Sequence, residues 1–462
     1  MIFDTTICAP ATSGKGAIAI IRVSGPDSIA ICDKLISFGD TNKSLYSQTG
    51  NTVHFGNFMD SDQVLDEVLI SVFKAPHSYT GEDSAEITCH ASSYIQNRIL
   101  GLLIENGSFL AKPGEFTQRA YLNGKLDLSQ AEAVADVVAA ESKAAHRISL
   151  NQMRGGFSKE ISFLRDELLH FVSLIELELD FGEEEVQFAG REQLAELVDK
   201  ILAIIDRLIN SFKQGNVIKN GVPVAIIGKP NVGKSTLINL LLNEEKAIVS
   251  EIAGTTRDAI EDTVNLEGIT FRFIDTAGIR ESTDIIENLG IRKTYQKIEQ
   301  ASIILLLTEA TDNEATISAF EEVRKQIKGK DKKLVLVINK SDKNASILSP
   351  EVLNLSPSEY FIKISAKTGL HVNELINILL EASSVGNLDG HAVIISNQRH
   401  YEALSHASES LRRVKEGLVS KLPEDLLAQD IRLTMHYLAE ISGEITNDEV
   451  LGNIFKNFCI GK

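Results

Sequence analysis

At 462 residues the chain exceeds what one hydrophobic core accommodates, and about two to four domains are expected. Its 43% hydrophobic and 24% charged residues suit an ordinary globular protein, and no apolar run approaches the roughly 18 residues of a membrane span. A formal charge of −18 excludes a chain that coats nucleic acid by itself, because phosphate contacts need Lys and Arg; any RNA contact is local or supplied by a more basic partner. The opening residues, MIFDTTICAPATSGKG, lack a basic region followed by a hydrophobic segment, so a cytoplasmic protein with no membrane partner is expected. Cys8, Cys32, Cys89 and Cys459 form no C-x-x-C pair, which supports neither a disulfide framework nor a zinc site.

Residues 1–118 alternate short β-rich runs with turn signals. Strands are expected at 16–23, 52–58, 68–73 and 85–90 and helices at 26–37 and 92–106, an α+β pattern. From Asp127 the period lengthens. Leu128, Ala131, Val134, Ala135 and Val138 share one helical face; Ile161, Leu164, Leu168, Phe171, Ile175 and Leu179 share another. Leu194, Leu197, Ile201, Ile204 and Leu208 make a third. The pattern resumes with Leu404, Ala407, Leu411, Val414 and Leu418, then Leu427, Ile431, Met435 and Leu438. Such stripes must bury against one another, so one helical domain is expected to form from both sides of an inserted domain. The insertion's edges are placed at 215–221 and 383–389, both of turn composition. The expected organisation is therefore 1–118, helical 119–215, inserted 216–383 and helical 384–462.

The inserted stretch reads as an α/β domain with a mostly parallel sheet, with strands at 222–227, 269–274, 303–307, 334–338 and 360–364. The first strand runs into Gly228–Ser235, GKPNVGKS, which fits G-x-x-x-x-G-K-[ST]. Gly228 and Gly233 let successive N–H groups face one anion, Lys234 reaches the outer phosphates, and the Ser235 hydroxyl can ligate Mg²⁺. Asp275-Thr276-Ala277-Gly278 ends the second strand, where Asp275 can hold Mg²⁺ through water and the Gly278 N–H can meet a γ-phosphate. Asn339-Lys340-Ser341-Asp342 ends the fourth; the Asp342 carboxylate suits guanine, whose N1–H and 2-amino group are paired donors that adenine lacks. Ser365-Ala366-Lys367 ends the fifth and would close over the base. Four motifs in order at strand ends make a GTP site.

Contacts to the nucleotide are expected from Asn231, Val232, Gly233, Lys234, Ser235 and Thr236, and from Ser250, Glu251, Ile252, Ala253, Gly254, Thr255 and Thr256. In the second group Thr256 is assigned to the Mg²⁺ shell, with Thr255 its nearest competitor. Catalysis poses a puzzle. The position after DTAG, where many GTPases carry a water-orienting Gln, is Ile279, which has no donor or acceptor. Arg280, Glu281, Asp284, Glu287 or a monovalent cation remain as candidates.

Beyond the general GTPase signature, Ile20–Gly25 (IIRVSG), 78–83 (SYTGED), 113–134 (PGEFTQRAYLNGKLDLSQAEAV) and the terminal FCIGK resemble the MnmE (TrmE) family of tRNA-modification GTPases along essentially the whole chain. That resemblance implies an N-terminal domain that dimerises and binds a tetrahydrofolate, 5,10-methylene or 5-formyl, near Arg22, Glu86, Lys125 and Lys462. It implies a homodimer whose nucleotide domains meet around K⁺, with Asn231, Ser250, Ile252 and Thr255 as the matching K⁺ positions, and Ser250 departing from the family's usual Thr. Glu287 matches a residue acting on the attacking water and Arg280 a supporting one; Cys459 matches a cysteine once considered catalytic, but with no neighbouring His or general base it is read as structural or positional near the folate. The implied activity pairs the chain with a flavoprotein, MnmG, which carries FAD, in a heterotetramer or larger complex. Together they would install an aminomethyl-type (carboxymethylaminomethyl) group at carbon 5 of the wobble uridine of certain tRNAs. The rival readings are a regulatory or ribosome-assembly GTPase switch without its own chemical substrate, and a folate-dependent aminomethyltransferase.

Overall fold

The computed structural model describes residues 4–12, 16–39, 42–180, 191–246, 262–274, 296–309, 313–343, 348–383, 393–446, 448–456, 458 and 461. By compactness the chain divides into two units, one of Met1–Ala139, Ser149–Ala203 and Ala403–Lys462, the other of Ala140–Ile148 and Ile204–Glu402.

In the first unit, β1 (Ile7–Pro10), β2 (Ile18–Ser24), β3 (Ile36–Ser37), β4 (Thr52–Asp60), β5 (Gln63–Phe73), β6 (Ser84–His90) and β7 (Phe109–Leu110) form one sheet in the order β3-β4-β5-β6-β2-β1-β7. Every neighbouring pair is antiparallel except β1 with β7. A period of two puts one face inward: along β5, Val68, Ile70 and Val72 are buried while Glu67 and Leu69 point out. The helices Ser28–Leu35 and Ser93–Glu105 cover the inner face, with Ile31, Cys32, Ile99 and Leu103 in the same core as Ile21, Ile70 and Ile87. The four strands and two helices expected here all form. β1, β3 and β7 are too short to show a period.

The helical stripes also form, with Ile161, Leu164 and Leu168 buried on the helix Gly156–Asp180, Leu194, Ile201 and Leu208 on Arg191–Asn220, Leu404, Leu411 and Val414 on Gln398–Val419, and Leu427, Ile431 and Leu438 on Glu424–Ser442. One position departs from the pattern. Val138 is 48% exposed, because the helix Leu128–Ala139 buries only its opening turns, at Leu128, Ser129, Ala131, Glu132 and Ala133.

The first unit is pinned by a buried guanidinium that the sequence patterns do not single out. Arg119, on the helix Glu115–Leu122, is fully buried. Its Nη1 donates to the Thr5 carbonyl (2.7 Å) and Glu82 Oε1 (3.1 Å), and its Nη2 donates to Glu115 Oε1 (3.0 Å) and Thr5 Oγ1 (3.2 Å). Ser24 Oγ donates to the other Glu82 oxygen at 2.8 Å, which ties β2 into the same network.

In the second unit, β8 (Val222–Ile227), β9 (Asp262–Leu266), β10 (Ile269–Phe273), β11 (Ile303–Glu309), β12 (Lys333–Asn339) and β13 (Glu359–Lys363) are ordered β13-β12-β11-β8-β10-β9. All pairings are parallel except β9 with β10. Alternate residues of β8 enter different cores: Val222, Val224 and Ile226 pack with the helices Lys234–Lys246 and Val372–Ala382, and Ala225 and Ile227 with Asn313–Ile327. Burial of both faces is why β8, β11 and β12 read as continuous apolar runs. β9 escapes the sequence reading. It is a short edge strand joined to β10 by Glu267 and Gly268, both at positive φ (48° and 87°), as a two-residue hairpin requires.

The stretch 215–221 corrects its expected turn character, because the helix Arg191–Asn220 runs through it and ends only at Gly221, φ 80°. Gly215 is small for another reason: a Cβ there would lie 2.1 Å from the Ile395 carbonyl oxygen, so the glycine lets two backbones touch. The other expected edge, 383–389, lies outside the described residues beyond Ser383.

Removing the buried cation from its two carboxylates tests the first unit's network. Arg119→Met is expected to destabilise it by about 3–5 kcal/mol, read as an earlier first transition in thermal unfolding.

Candidate nucleotide site and a second polar cleft

β8 ends at Ile227, and the chain turns at once through the phosphate loop into the helix Lys234–Lys246. Gly228 has φ 155°, and a Cβ on it would meet the Leu307 carbonyl oxygen at 2.2 Å. Gly233 has φ 100°, and its Cβ would meet Asn339 Nδ2 at 2.2 Å. A side chain at the first position would collide with the backbone of β11 and at the second with the Asn339 amide, so only glycine lets the loop pass this close. Asn231 is left-handed without being glycine, φ 63°. The Lys234 ammonium folds back over the loop, donating to the Gly228 carbonyl at 2.6 Å and the Lys229 carbonyl at 3.3 Å. Burial, with the Lys297 charge second, holds its pKa below the usual lysine range, and an arriving phosphate would act in the opposite sense. Ser235 stands in the first turn of the helix, half-buried, with Val232 buried and Thr236 exposed.

Two later motifs close on this loop. Asn339, at the end of β12, is buried, and its amide uses both ends: Nδ2 donates to the Val232 carbonyl at 2.8 Å, and Oδ1 accepts from the Ala366 N–H at 2.9 Å. Lys340, φ 62°, donates from Nζ to the Asn231 carbonyl at 2.8 Å and pairs with the Glu309 carboxylate. Asp342 Oδ1 accepts from Ser365 Oγ at 2.7 Å, and that bond holds its carboxyl below the usual carboxylate range. Ser365 and Ala366 are buried and Lys367 is exposed at the rim. An ionised Asp342 beside this rim is what paired guanine donors need.

Of the expected residues, the structure thus assembles Asn231, Val232, Gly233, Lys234, Asn339, Lys340, Asp342, Ser365 and Ala366 around one loop. Ser250, Glu251, Ile252, Ala253, Gly254, Thr255, Thr256, Asp275, Thr276, Ala277, Gly278, Ile279, Arg280, Glu281, Asp284 and Glu287 lie outside the described residues, as do Cys459 and Lys462. Glu309 was not among the expected residues; it falls in no motif, and only its place at the end of a buried strand marks it.

The first unit carries a separate cleft. Arg22 on β2 lies directly opposite Glu86 on β6 in the strand register. Nε and Nη2 both reach Glu86 Oε1, at 2.9 and 2.8 Å, while Nη1 meets the Gly461 carbonyl at 3.4 Å. The guanidinium carbon lies 5.3 Å from the Tyr79 ring centre and 5.6 Å from that of Phe116. A cavity of about 60 Å³ is lined by Arg22, Phe73, Tyr79, Thr80, Ser84 and Glu86. Lys125 does not line it; its ammonium donates to the Pro76 carbonyl at 2.9 Å, with its stem beside Gly81. Tyr79 and Phe116 are additions to the expected set, and both sit in stretches already notable in the sequence, SYTGED and PGEFTQRAY.

Residues 6–125 match the family model described as "GTP-binding protein TrmE N-terminus", and residues 128–459 match the one described as "MnmE helical domain". The chain is similar to a "tRNA modification GTPase MnmE" of Bacteroides thetaiotaomicron, with 53% identity over 463 residues that cover 99% of each chain. It is likewise similar to a protein of that name from Christiangramia forsetii, with 52% identity over 471 residues and 99% of each chain covered.

Replacing Asn339 by Ala strands a buried carbonyl and a buried N–H together. We expect Asn339→Ala to weaken binding of a fluorescent guanine nucleotide roughly 10- to 100-fold, read by equilibrium titration, with the fold retained by circular dichroism.

Proposed function

This chain belongs to the MnmE (TrmE) family of tRNA-modification GTPases, and we propose that it hydrolyses GTP to serve the modification of wobble uridines in tRNA. The observation that carries the GTP part is the Asn339 amide, which joins the phosphate loop to the segment that closes over the base. Asp342 then accepts from the guanine edge, the Gly228–Gly233 backbone cradles the phosphates, and Lys234 neutralises the outermost charge. Mg²⁺ would be held by Ser235 and Thr256 and would offset charge on the phosphate oxygens. The residues present fit such a site, since Ser235 stands in the first turn of the helix that follows the loop, with a hydroxyl for the ion.

Ile279 leaves the water without an orienting side chain, so Glu287 acts on it, with Arg280 in support. K⁺, at Asn231, Ser250, Ile252 and Thr255, would complete the charge compensation when the nucleotide domains of a homodimer meet. Arg22 and Glu86, with Lys125 from outside the cavity and Lys462, would hold a tetrahydrofolate, which would supply the one-carbon unit. Within the first cleft, Arg22 suits a carboxylate or carbonyl and Glu86 the N–H edge of a pterin, which its Oε2 remains placed to accept. The flavoprotein partner MnmG brings FAD and the more basic surface that a chain of charge −18 needs beside tRNA. GTP hydrolysis does no carbon chemistry here; it drives the paired nucleotide domains between open and closed states. The domain organisation 1–118, 119–215, 216–383 and 384–462 and a cytoplasmic location belong to the same proposal.

Asp342→Asn tests the base assignment chemically. Xanthine carries a carbonyl where guanine carries its 2-amino group, so the variant amide can donate where the carboxylate could only accept. We expect GTP hydrolysis to fall at least about 100-fold and XTP hydrolysis to rise in its place. Unchanged GTP turnover in the variant would show that this carboxylate does not read the base.

A further inference from the structure

We propose that Glu309 is a positioning residue of the nucleotide site: acting through Lys340, its carboxylate holds Asn231 and the middle of the phosphate loop in the shape that receives the nucleotide. This rests on the guanine-nucleotide reading above. Glu309 is the last residue of β11 and pairs in register with Asn339 on β12, so the two strands deliver Glu309 and Lys340 to the same edge of the loop. Its carboxylate meets Lys340 Nζ, and the same ammonium donates to the Asn231 carbonyl at 2.8 Å.

Two left-handed residues meet at this contact. Asn231, at φ 63°, tolerates that region, whereas Lys340, at φ 62°, keeps it only where its surroundings over-determine it. For the phosphate loop, the surroundings are two consecutive carbonyls gripped by two consecutive side chains. Val232 is held by Asn339 and Asn231 by Lys340. The first grip is buried and needs no help. The second ends in an ammonium on a flexible four-carbon stem, 32% exposed, which water would otherwise draw away. Glu309, 31% exposed, is the fixed counter-charge that keeps it over the loop. A plain surface ion pair would do none of this, since its loss would leave nucleotide binding as it was.

Release of fluorescent GDP from the full-length protein, followed by stopped flow, separates the two. Glu309→Gln is expected to speed release about 10-fold, and Lys340→Met to do likewise. The double variant should release no faster than the quicker single one, because both changes break one chain of contacts. Glu309→Asp, which keeps the charge, should stay within about 3-fold of the wild-type rate. The thermal midpoint of nucleotide-free Glu309→Gln should equal that of the wild type. Unchanged release in Glu309→Gln, effects that multiply in the double variant, or a matching loss of nucleotide-free stability would each overturn the role. A wild-type chain that binds no fluorescent GDP would instead overturn the guanine-nucleotide reading, and this role with it.

Discussion

The second unit's phosphate and base loops depend on one buried amide. Asn339 must donate to a carbonyl on one side and accept from an N–H on the other, and a side-chain amide does so from two separate atoms. An aspartate there would meet the Val232 carbonyl with a second acceptor, and an alanine would leave both backbone groups stranded at roughly 1–3 kcal/mol each. The constraint propagates. Because Nδ2 sits where a Gly233 Cβ would be, the loop glycine and the strand-end asparagine fix each other, and residues more than 100 positions apart become one local structure. The left-handed Asn231 and Lys340 lie one residue away on either side of this span, where the Lys340 ammonium makes the second grip on the loop.

How much of this was legible follows from what each signal encodes. A strand buried on both faces must be apolar throughout, so β8, β11 and β12 stand out as runs; β10 and β13, only partly buried and carrying Arg272 and Lys363, give shorter ones, and β9, an edge strand with Asp262, Thr263 and Asn265, gives none. The glycine at 215 carries a turn signal because sequence cannot separate a glycine that bends the chain from one that lets another backbone approach. Motifs named the nucleotide residues singly, since each motif is local. The bridges between motifs are not local, and neither the Asn339 span nor the Glu309–Lys340 pair has a sequence pattern. Arg22 and Glu86 show the same limit: only the register of β2 against β6 sets them face to face.

That pairing also shapes the first unit's cleft. Arg22 is tethered to Glu86 and flanked by two rings, so it arrives at any ligand already oriented. The pair is only partly buried, at 21% and 26% side-chain exposure, and an ion pair of that kind contributes on the order of 1 kcal/mol or less. A ligand edge that takes over part of the Glu86 carboxylate therefore displaces little, while the Arg119 network of the same unit, built on a fully buried guanidinium with several partners, stays in place. Weak contacts at the surface of the cleft and strong ones below it suit a site that exchanges ligands without losing its shape.

The account joins a GTP site to a tRNA-modifying activity, and the most direct measurement of that join is mass spectrometry of wobble uridines from cells lacking this chain, complemented with either the wild type or Asp342→Asn. The carboxymethylaminomethyl-type nucleoside should vanish on deletion, return with the wild-type chain and stay absent with the variant. Its persistence in the deletion, or full return with a chain that no longer uses GTP, would contradict the account.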